Sequence, residues 1–381
     1  MVSLVQLVEH QIVVLGVVGS SPTGYPKGPR SNSGVCCFMK KILSVVLALA
    51  LLAFCLVCRF VPGVGEWYAL NLYPWISGVL SLVSSPFPFS LEEVIVLGFV
   101  GYLIYIIVRS IRKRSFGSWL GSTLLTILWL YVWLYMGWEN NYFRSSFYER
   151  GSLERVAYDE KEFMDFLSDY SYNLDASYCK VESIDKKALC RDIKDFYRRQ
   201  DSSWGLTTPR SWQRPKRPLI NILYSSVGVL GFMGPFAGES QLNADLLPSQ
   251  YPFTLAHELA HLYGVSSEAE ANYWAYKYCT GSSDKAVRYS GYFSLLGYVW
   301  SNAAGVLPKD SLSVWLKGIS PEIMEEYAYE RDYWNSKRVN ILDKTQTVMM
   351  EANLRSNGIS EGAKNYNQVV GMILSERRKE N

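Results

Sequence analysis

Residues 257–261 read His257-Glu258-Leu259-Ala260-His261, the pattern H-E-x-x-H. On a helix, positions i and i+4 project from one face, so both imidazoles can reach a single metal ion. Glu258 stands beside them, where a general base acting on water belongs. The neighbouring residues favour that helix. Pro252 and Thr254 supply a start, Leu255, Ala256, Leu259 and Ala260 are helix formers, and Gly264 suits the place just past the end. The chain holds only three His, His10, His257 and His261, so the pattern is not a by-product of abundant histidine. The bland alternative is an exposed helix with an incidental Glu–His pair.

Catalytic zinc takes three protein ligands and keeps one position open. No third His lies nearby, so Zn2+ here requires a carboxylate. Ser266-Ser267-Glu268-Ala269-Glu270-Ala271-Asn272 follows Gly264 and reads as the start of a second helix at Ser267. Glu268 and Glu270 are the two candidates. Ser267-x-x-Glu270 has the form of a capping box, which gives Glu270 a structural task. Glu268 has no such task and is the preferred ligand, with Glu270 as the alternative. Asn272 lies one turn beyond Glu268, where it could orient a ligating imidazole.

These residues need a scaffold. Glu162–Tyr170 and Lys186–Arg199 read as amphipathic helices, and residues 284–316 and 320–381 as further helices, with a break at Asn357-Gly358. Leu219–Tyr224 is β-branched and reads as a strand. A Gly-rich stretch from Gly228 to Gly238 precedes Glu239–Leu246, a second expected strand. Residues 139–381 hold 29 Lys and Arg and 31 Asp and Glu, an ordinary soluble density.

Residues 1–138 are different, with 9 Lys and Arg and 4 Asp and Glu. Three apolar runs account for this: Ile42–Cys58, Val94–Val108 and Ser115–Trp138. Ser90-Leu91-Glu92-Glu93 has capping-box form and extends the second from near Leu91 to about Ile111. Each run is then long enough to cross a bilayer. Trp119 and Trp138 stand near the ends of the third, where interfacial anchors are expected. No small-x-small site follows Ile42–Cys58, which argues for a retained span over a cleaved signal peptide. Trp67–Ser85 is apolar but broken by Pro74 and Gly78, and reads as an interfacial or re-entrant segment.

Lys40 and Lys41 precede the first span, and Arg109, Arg112, Lys113 and Arg114 lie between the second and third. Positive-inside places these in the cytoplasm and everything after Trp138 outside. The expected organisation is 1–38 as a disordered tail or mis-assigned start before Met39-Lys40-Lys41, 39–138 as a three-span membrane domain, and 139–381 as an extracytoplasmic domain. Of seven Cys, Cys179, Cys190 and Cys279 fall in the last part. Cys179 and Cys190 could pair outside a cytoplasm, but three buried thiols is the favoured reading. The charge of +3 and the lack of a basic stripe argue against nucleic acid.

H-E-x-x-H followed by Glu268-x-x-x-Asn272 resembles the gluzincin type of zinc metallopeptidase, with a very short spacer. Ser267 stands where a metzincin carries its third His, so that assignment fails. Phe87-Pro88-Phe89-Ser90, Trp138-Glu139-Asn140-Asn141-Tyr142-Phe143-Arg144, Gly234-Pro235-Phe236-Ala237-Gly238-Glu239 and Pro252–His261 together resemble the bacterial membrane family called domain of unknown function 3810, over about residue 40 to the C-terminus. That resemblance implies a helical membrane anchor joined to a mainly α, α+β zincin-like domain. It implies His257, His261 and Glu268 on the metal and Glu258 as base, and it implies no particular substrate beyond a peptide or protein.

The expected activity is therefore peptide hydrolysis by a zinc metallopeptidase held in a bacterial cell membrane. Glu239–Leu246 is the expected edge strand for an extended substrate. Tyr327, Tyr329, Arg331 and Tyr333 are undifferentiated candidates for the oxyanion donor. The alternative is a non-catalytic, membrane-anchored scaffold with a structural or vestigial zinc. A protease active within the bilayer is disfavoured, because Asp245, Glu268 and Glu270 flank the motif.

Overall fold

The computed structural model describes residues 33–113, 116–155, 160–357 and 368–380. The tail reading therefore lies, for residues 1–32, outside the described residues, as does Arg114 of the basic turn. Helix α1 spans Ser33–Phe60. Val64–Trp67 (α2) continues through a π-helical turn, Tyr68–Leu72, into α3, Tyr73–Ser84. Then come α4 (Leu91–Lys113) and α5 (Phe116–Gly137). Met39–Phe60, Leu91–Arg112 and Trp119–Gly137 are each long and apolar enough to cross a membrane. Ser90 caps α4 by accepting from the Glu93 N–H at 3.1 Å. The Glu93 carboxylate does not reach back to close the box; it accepts the N–H groups of Leu219 and Ile220 instead.

The rest of the chain is mostly helical. Short α6 (Phe147–Gly151) leads to α7 (Glu160–Ser177), α8 (Lys186–Arg198) and α9 (Asn221–Ser226). Strands β1 (Gly231–Gly234) and β2 (Glu239–Leu242) form an antiparallel hairpin. Helices α10 (Tyr251–Leu262), α11 (Glu268–Thr280), α12 (Lys285–Val306), α13 (Lys309–Lys317), α14 (Pro321–Lys337), α15 (Asn340–Ser356) and α16 (Val369–Glu380) follow.

Leu219–Tyr224 is not a strand. Pro218 precedes it, Glu93 satisfies its first N–H groups, and the chain turns into α9 with Ile222 75% exposed. β-Branched composition marked an apolar surface here, not a ladder. Glu239–Leu242 is a strand, but it is not the free edge. Its far side is held by Lys216, whose N–H donates to Ser240 O at 2.8 Å while Leu242 N donates to Lys216 O at 3.1 Å. β2 is buried along its length, and the edge without a strand partner among the described residues belongs to β1.

Leu47–Asn381 form one compact unit. Its core is aromatic, with Trp274, Tyr263, Tyr273, Tyr170, Phe163, Phe166 and Phe293 all fully buried around α10, α11 and α12. Large rings supply much apolar area per residue and lock one another edge to face. Cys179, Cys190 and Cys279 are free thiols.

Gln250 starts α10. Its side-chain oxygen accepts from Leu247 N and from Trp334 Nε1 on α14, both at 3.1 Å. Beside it, burial pushes the Glu330 carboxyl up to about 7 despite a hydrogen bond from Gln250. A carboxyl raised by folding binds protons more tightly in the native state. The cost of charging it grows as pH rises from about 4.5 to about 7 and is complete above that. Glu330→Gln is expected to stabilise the protein by about 1–3 kcal/mol at pH 8 and by little at pH 5. Thermal melts at the two pH values check this; equal shifts at both would contradict it.

Candidate metal centre

Helix α10 is buried on nearly every side, with Leu255, Ala256, Leu259 and Ala260 at zero exposure. A helix so enclosed holds its side chains in fixed rotamers. Its C-terminus is tied down by groups from far away in sequence. Trp138 Nε1 donates to His261 O, and the Tyr73 hydroxyl donates to Leu262 O, each at 2.9 Å. Gly264 takes φ 94°, the left-handed turn that reverses the chain, and Arg144 Nη1 donates to its carbonyl. Trp138 was expected as an interfacial anchor at the end of its span; it is buried and packed edge-on to the His261 ring, with centroids 5.8 Å apart.

The turn delivers Ser267 as the cap of α11 and Glu268 as its first residue. Ser267 Oγ accepts from Glu270 N at 3.4 Å. His257, His261 and Glu268 then converge. His257 Nε2 lies 3.0 Å from His261 Nε2 and 3.1 Å from Glu268 Oε2, and His261 Nε2 lies 3.5 Å from the same oxygen. The three ligand atoms fall within 4.8 Å of one another.

This donor set fits a metal ion. Two nitrogens bound at tetrahedral angles to one ion stand about 3.3 Å apart. His261 Nδ1 sits 2.7 Å from Val265 O, so Nδ1 carries a proton and Nε2 is the nitrogen a metal would take, displacing the proton held there. Burial works against the Glu268 charge, but the two imidazoles hold its carboxyl far below the usual range. Burial pushes the His261 imidazole down, and the Glu268 carboxylate outweighs it, raising the group to about 9. Here the His261 imidazolium itself serves as the charge partner of the Glu268 carboxylate.

Glu258 is buried beside this cluster, and burial raises its carboxyl to about 7 against the pull of both imidazoles. Strand β1 passes directly over it. A Cβ on Gly231 would lie 2.5 Å from Glu258 Cγ and Oε1, so only glycine lets the backbone come this close.

Glu270 is turned away from the cluster. It forms a buried ion pair with Arg150 and accepts from Trp274 Nε1 at 3.1 Å. The capping-box form expected this carboxylate at its own helix start; its partners are Arg150 and Trp274 instead. Asn272 pairs with the Tyr298 hydroxyl, and its Nδ2 donates to neither imidazole among the described residues. The orienting partner of His261 is the Val265 carbonyl, a backbone group that residue types do not reveal.

The four later candidates for an oxyanion donor lie on α14 in differing surroundings. The Tyr333 hydroxyl donates to Asp245 O, Arg331 pairs with Asp332, Tyr329 is exposed, and Tyr327 packs against Phe293 and Trp300. The phenols that feel the Glu268 charge are Tyr142 and Tyr298. Each is pushed up first by burial and next by that carboxylate, Tyr298 to about 12. Tyr142 comes from the short 3-10 turn Glu139–Phe143 after α5. Neither is among the sequence candidates, because nothing in the local pattern around Tyr142 or Tyr298 records that the fold brings it to Glu268.

No curated protein and no solved structure matches the chain. Residues 68–374 match the family described as "Protein of unknown function (DUF3810)", a region that includes α3, two of the three apolar spans and all of His257, Glu258, His261 and Glu268; the chain belongs to that family.

Proposed function

We propose that this protein is a membrane-anchored zinc metallopeptidase that hydrolyses peptide bonds at the His257–His261–Glu268 centre. The observation that carries the reading is the convergence of two imidazole Nε2 atoms and one carboxylate oxygen beside a buried fourth group, Glu258, that is not part of the cluster. A site that only held structure would have no use for Glu258. Two nitrogens and one oxygen suit zinc with a position left open. Zinc bound there would supply Lewis acidity toward a carbonyl oxygen and toward water.

The protein's own residues would do the rest. Glu258, raised toward neutrality, takes the proton from the attacking water and returns it to the leaving amine. Val265 O holds His261 in the ligating tautomer. Tyr142 and Tyr298, both under the influence of the Glu268 charge, are the phenolic donors this reading assigns to that side of the centre. Strand β1 offers the edge for an extended substrate. Asn243 N donates to Leu230 O at 2.9 Å, so by alternation the N–H and C=O groups of Gly231 and Met233 point away from β2. An added strand there would run past Glu258.

Lys40, Lys41 and the basic turn after α4 argue that the centre lies on the extracytoplasmic side of a bacterial cell membrane. The test is metal content followed by activity. Full-length protein purified in detergent should carry about one zinc per chain, lose caseinolysis on chelation and recover it with zinc. His257→Ala and His261→Ala should purify without zinc. Chelator-resistant hydrolysis, or full zinc in both His variants, would refute the proposal.

A further inference from the structure

The candidate centre is built against the ends of the apolar spans. Trp138, the first residue after α5, bonds the carbonyl of His261 itself. Strand β1 starts over Glu258 at Gly231 and ends at Gly234, where a Cβ would touch the Glu92 side chain at 2.8 Å. Glu92 is the second residue of the span Leu91–Arg112. Three residues of strand cover about 10 Å, so Glu258 lies about that far from the start of a span.

The β1–β2 hairpin is clamped to that point. Glu92 accepts from Ala237 N at 2.8 Å, and Glu92 N donates to Glu239 Oε1 at 3.0 Å. The hairpin tip goes further. Phe236 packs on Phe99 and Trp133, with centroids 6.3 and 5.7 Å away. Phe99 lies eight residues into its span and Trp133 four from the end of its own, depths of roughly 12 and 6 Å. The tip therefore sits below the level at which the spans emerge.

Two outward surfaces at this level have the polarity expected of a lipid-facing face. Helix α3 is inverted. Tyr73, Ser77, Ser81 and Ser84 face the protein, while Trp75, Val79, Leu82 and Val83 face out, Trp75 at 72% exposure. No charged residue occurs from Trp67 to Leu91. Water outside a helix selects the opposite arrangement, whereas a bilayer selects this one. Beyond Glu93, which holds its first N–H groups, the α9 segment likewise exposes Leu219, Ile222 and Leu223. Both surfaces are continuous with span-bearing segments: α3 leads directly into the span from Leu91, and α9 hangs on Glu93 within it.

We infer that the substrate is a polypeptide anchored in the same bilayer, cut within the first few residues outside the hydrocarbon. α3 and the α9 segment lie in the leaflet beneath the domain and hold β1 at its surface. A juxtamembrane chain emerging beside α4 meets the free edge of β1 without leaving the interface. This inference rests on the metallopeptidase reading above, so its test separates the two.

The zinc-loaded full-length protein is reconstituted in vesicles of bacterial phospholipid with three probes. One is a β-casein segment placed directly after a single membrane span. The second has a 30-residue Gly/Ser spacer between span and segment. The third is the same segment free in solution. Mass spectrometry reads the cuts. The juxtamembrane probe should be cleaved at least ten-fold faster than either of the others. Equal rates for the two tethered probes, or for the free one, overturn the inference and leave the peptidase standing. Cleavage of none overturns both.

A second measurement needs no activity. Nitroxides at Val79→Cys and Ile222→Cys, with the labelled parent chain as blank, should collide preferentially with lipid-dissolved oxygen. Preference for a water-soluble relaxant, or protection from both reagents, overturns the placement and with it the inference.

Discussion

Glu258→Gln will keep the bound zinc and lose peptide hydrolysis by about two to four orders of magnitude, the usual worth of a positioned general base. The amide preserves size and the packing under Gly231, where a Cβ would already be too close at 2.5 Å. It removes the one group in the centre that can take a proton and give it back. The loss should appear in kcat with KM little changed, since Glu258 is assigned no part in holding the substrate. Zinc content and kcat measured on one preparation decide the matter. Wild-type kcat with full zinc would remove Glu258 from the mechanism. A zinc-free variant would instead make Glu258 a determinant of metal binding.

The second large effect is a contrast between carboxylates two residues apart. Glu270→Gln leaves Arg150 buried with an uncompensated charge, each partner having about 4% of its side chain exposed. Breaking such a pair from one side costs about 3–5 kcal/mol. The variant should melt well below the wild type and still bind zinc whenever it is folded. Glu268→Ala removes a ligand at the rim of the cluster, where 21% of the side chain is exposed. It should fold near-normally and lose zinc affinity by on the order of a hundred-fold or more. Melting curves with metal titrations on both proteins test the pair together. The reverse pattern would exchange the roles of Glu268 and Glu270.

The division of labour between Glu268 and Glu270 illustrates how much of the centre can be read without coordinates. A Ser cap with Glu three residues on is a local signal; it gave Glu270 to the helix start and left Glu268 for the metal, and the structure places Glu268 with the two imidazoles and Glu270 with Arg150. The reason given was only half the cause. The capping N–H bond forms, but the Glu270 carboxylate goes to Arg150, 120 residues away. Asn272 is likewise met by a group from outside its own helix. One turn beyond Glu268 is a real adjacency on a helix, yet Tyr298 from α12 takes the side chain. Val265 O does the orienting instead, because the Gly264 turn brings a backbone carbonyl to His261 Nδ1 at 2.7 Å.

The strand readings fared unevenly on similar grounds. Of the strand expected over Glu239–Leu246, Glu239–Leu242 is extended. Its side away from β1 is closed by Lys216, which no pattern within the strand records. Leu219–Tyr224 has strand composition, but it has no partner on which to form a ladder, and it turns into a short exposed helix.

By itself the sequence determined whatever follows from short-range geometry. Fixed rise and turn per residue put His257, Glu258 and His261 on one buried helix, cap the next helix at Ser267, and make three apolar runs long enough to span a bilayer. Only the tertiary structure decided which distant groups meet these elements. Trp138 and Tyr73 pin the end of the ligand helix, Gly231 carries β1 over Glu258, and Glu92 ties the hairpin to a span. Those pairings are chosen by the packing of the whole core, which assigns each buried donor and carboxylate a partner from any part of the chain.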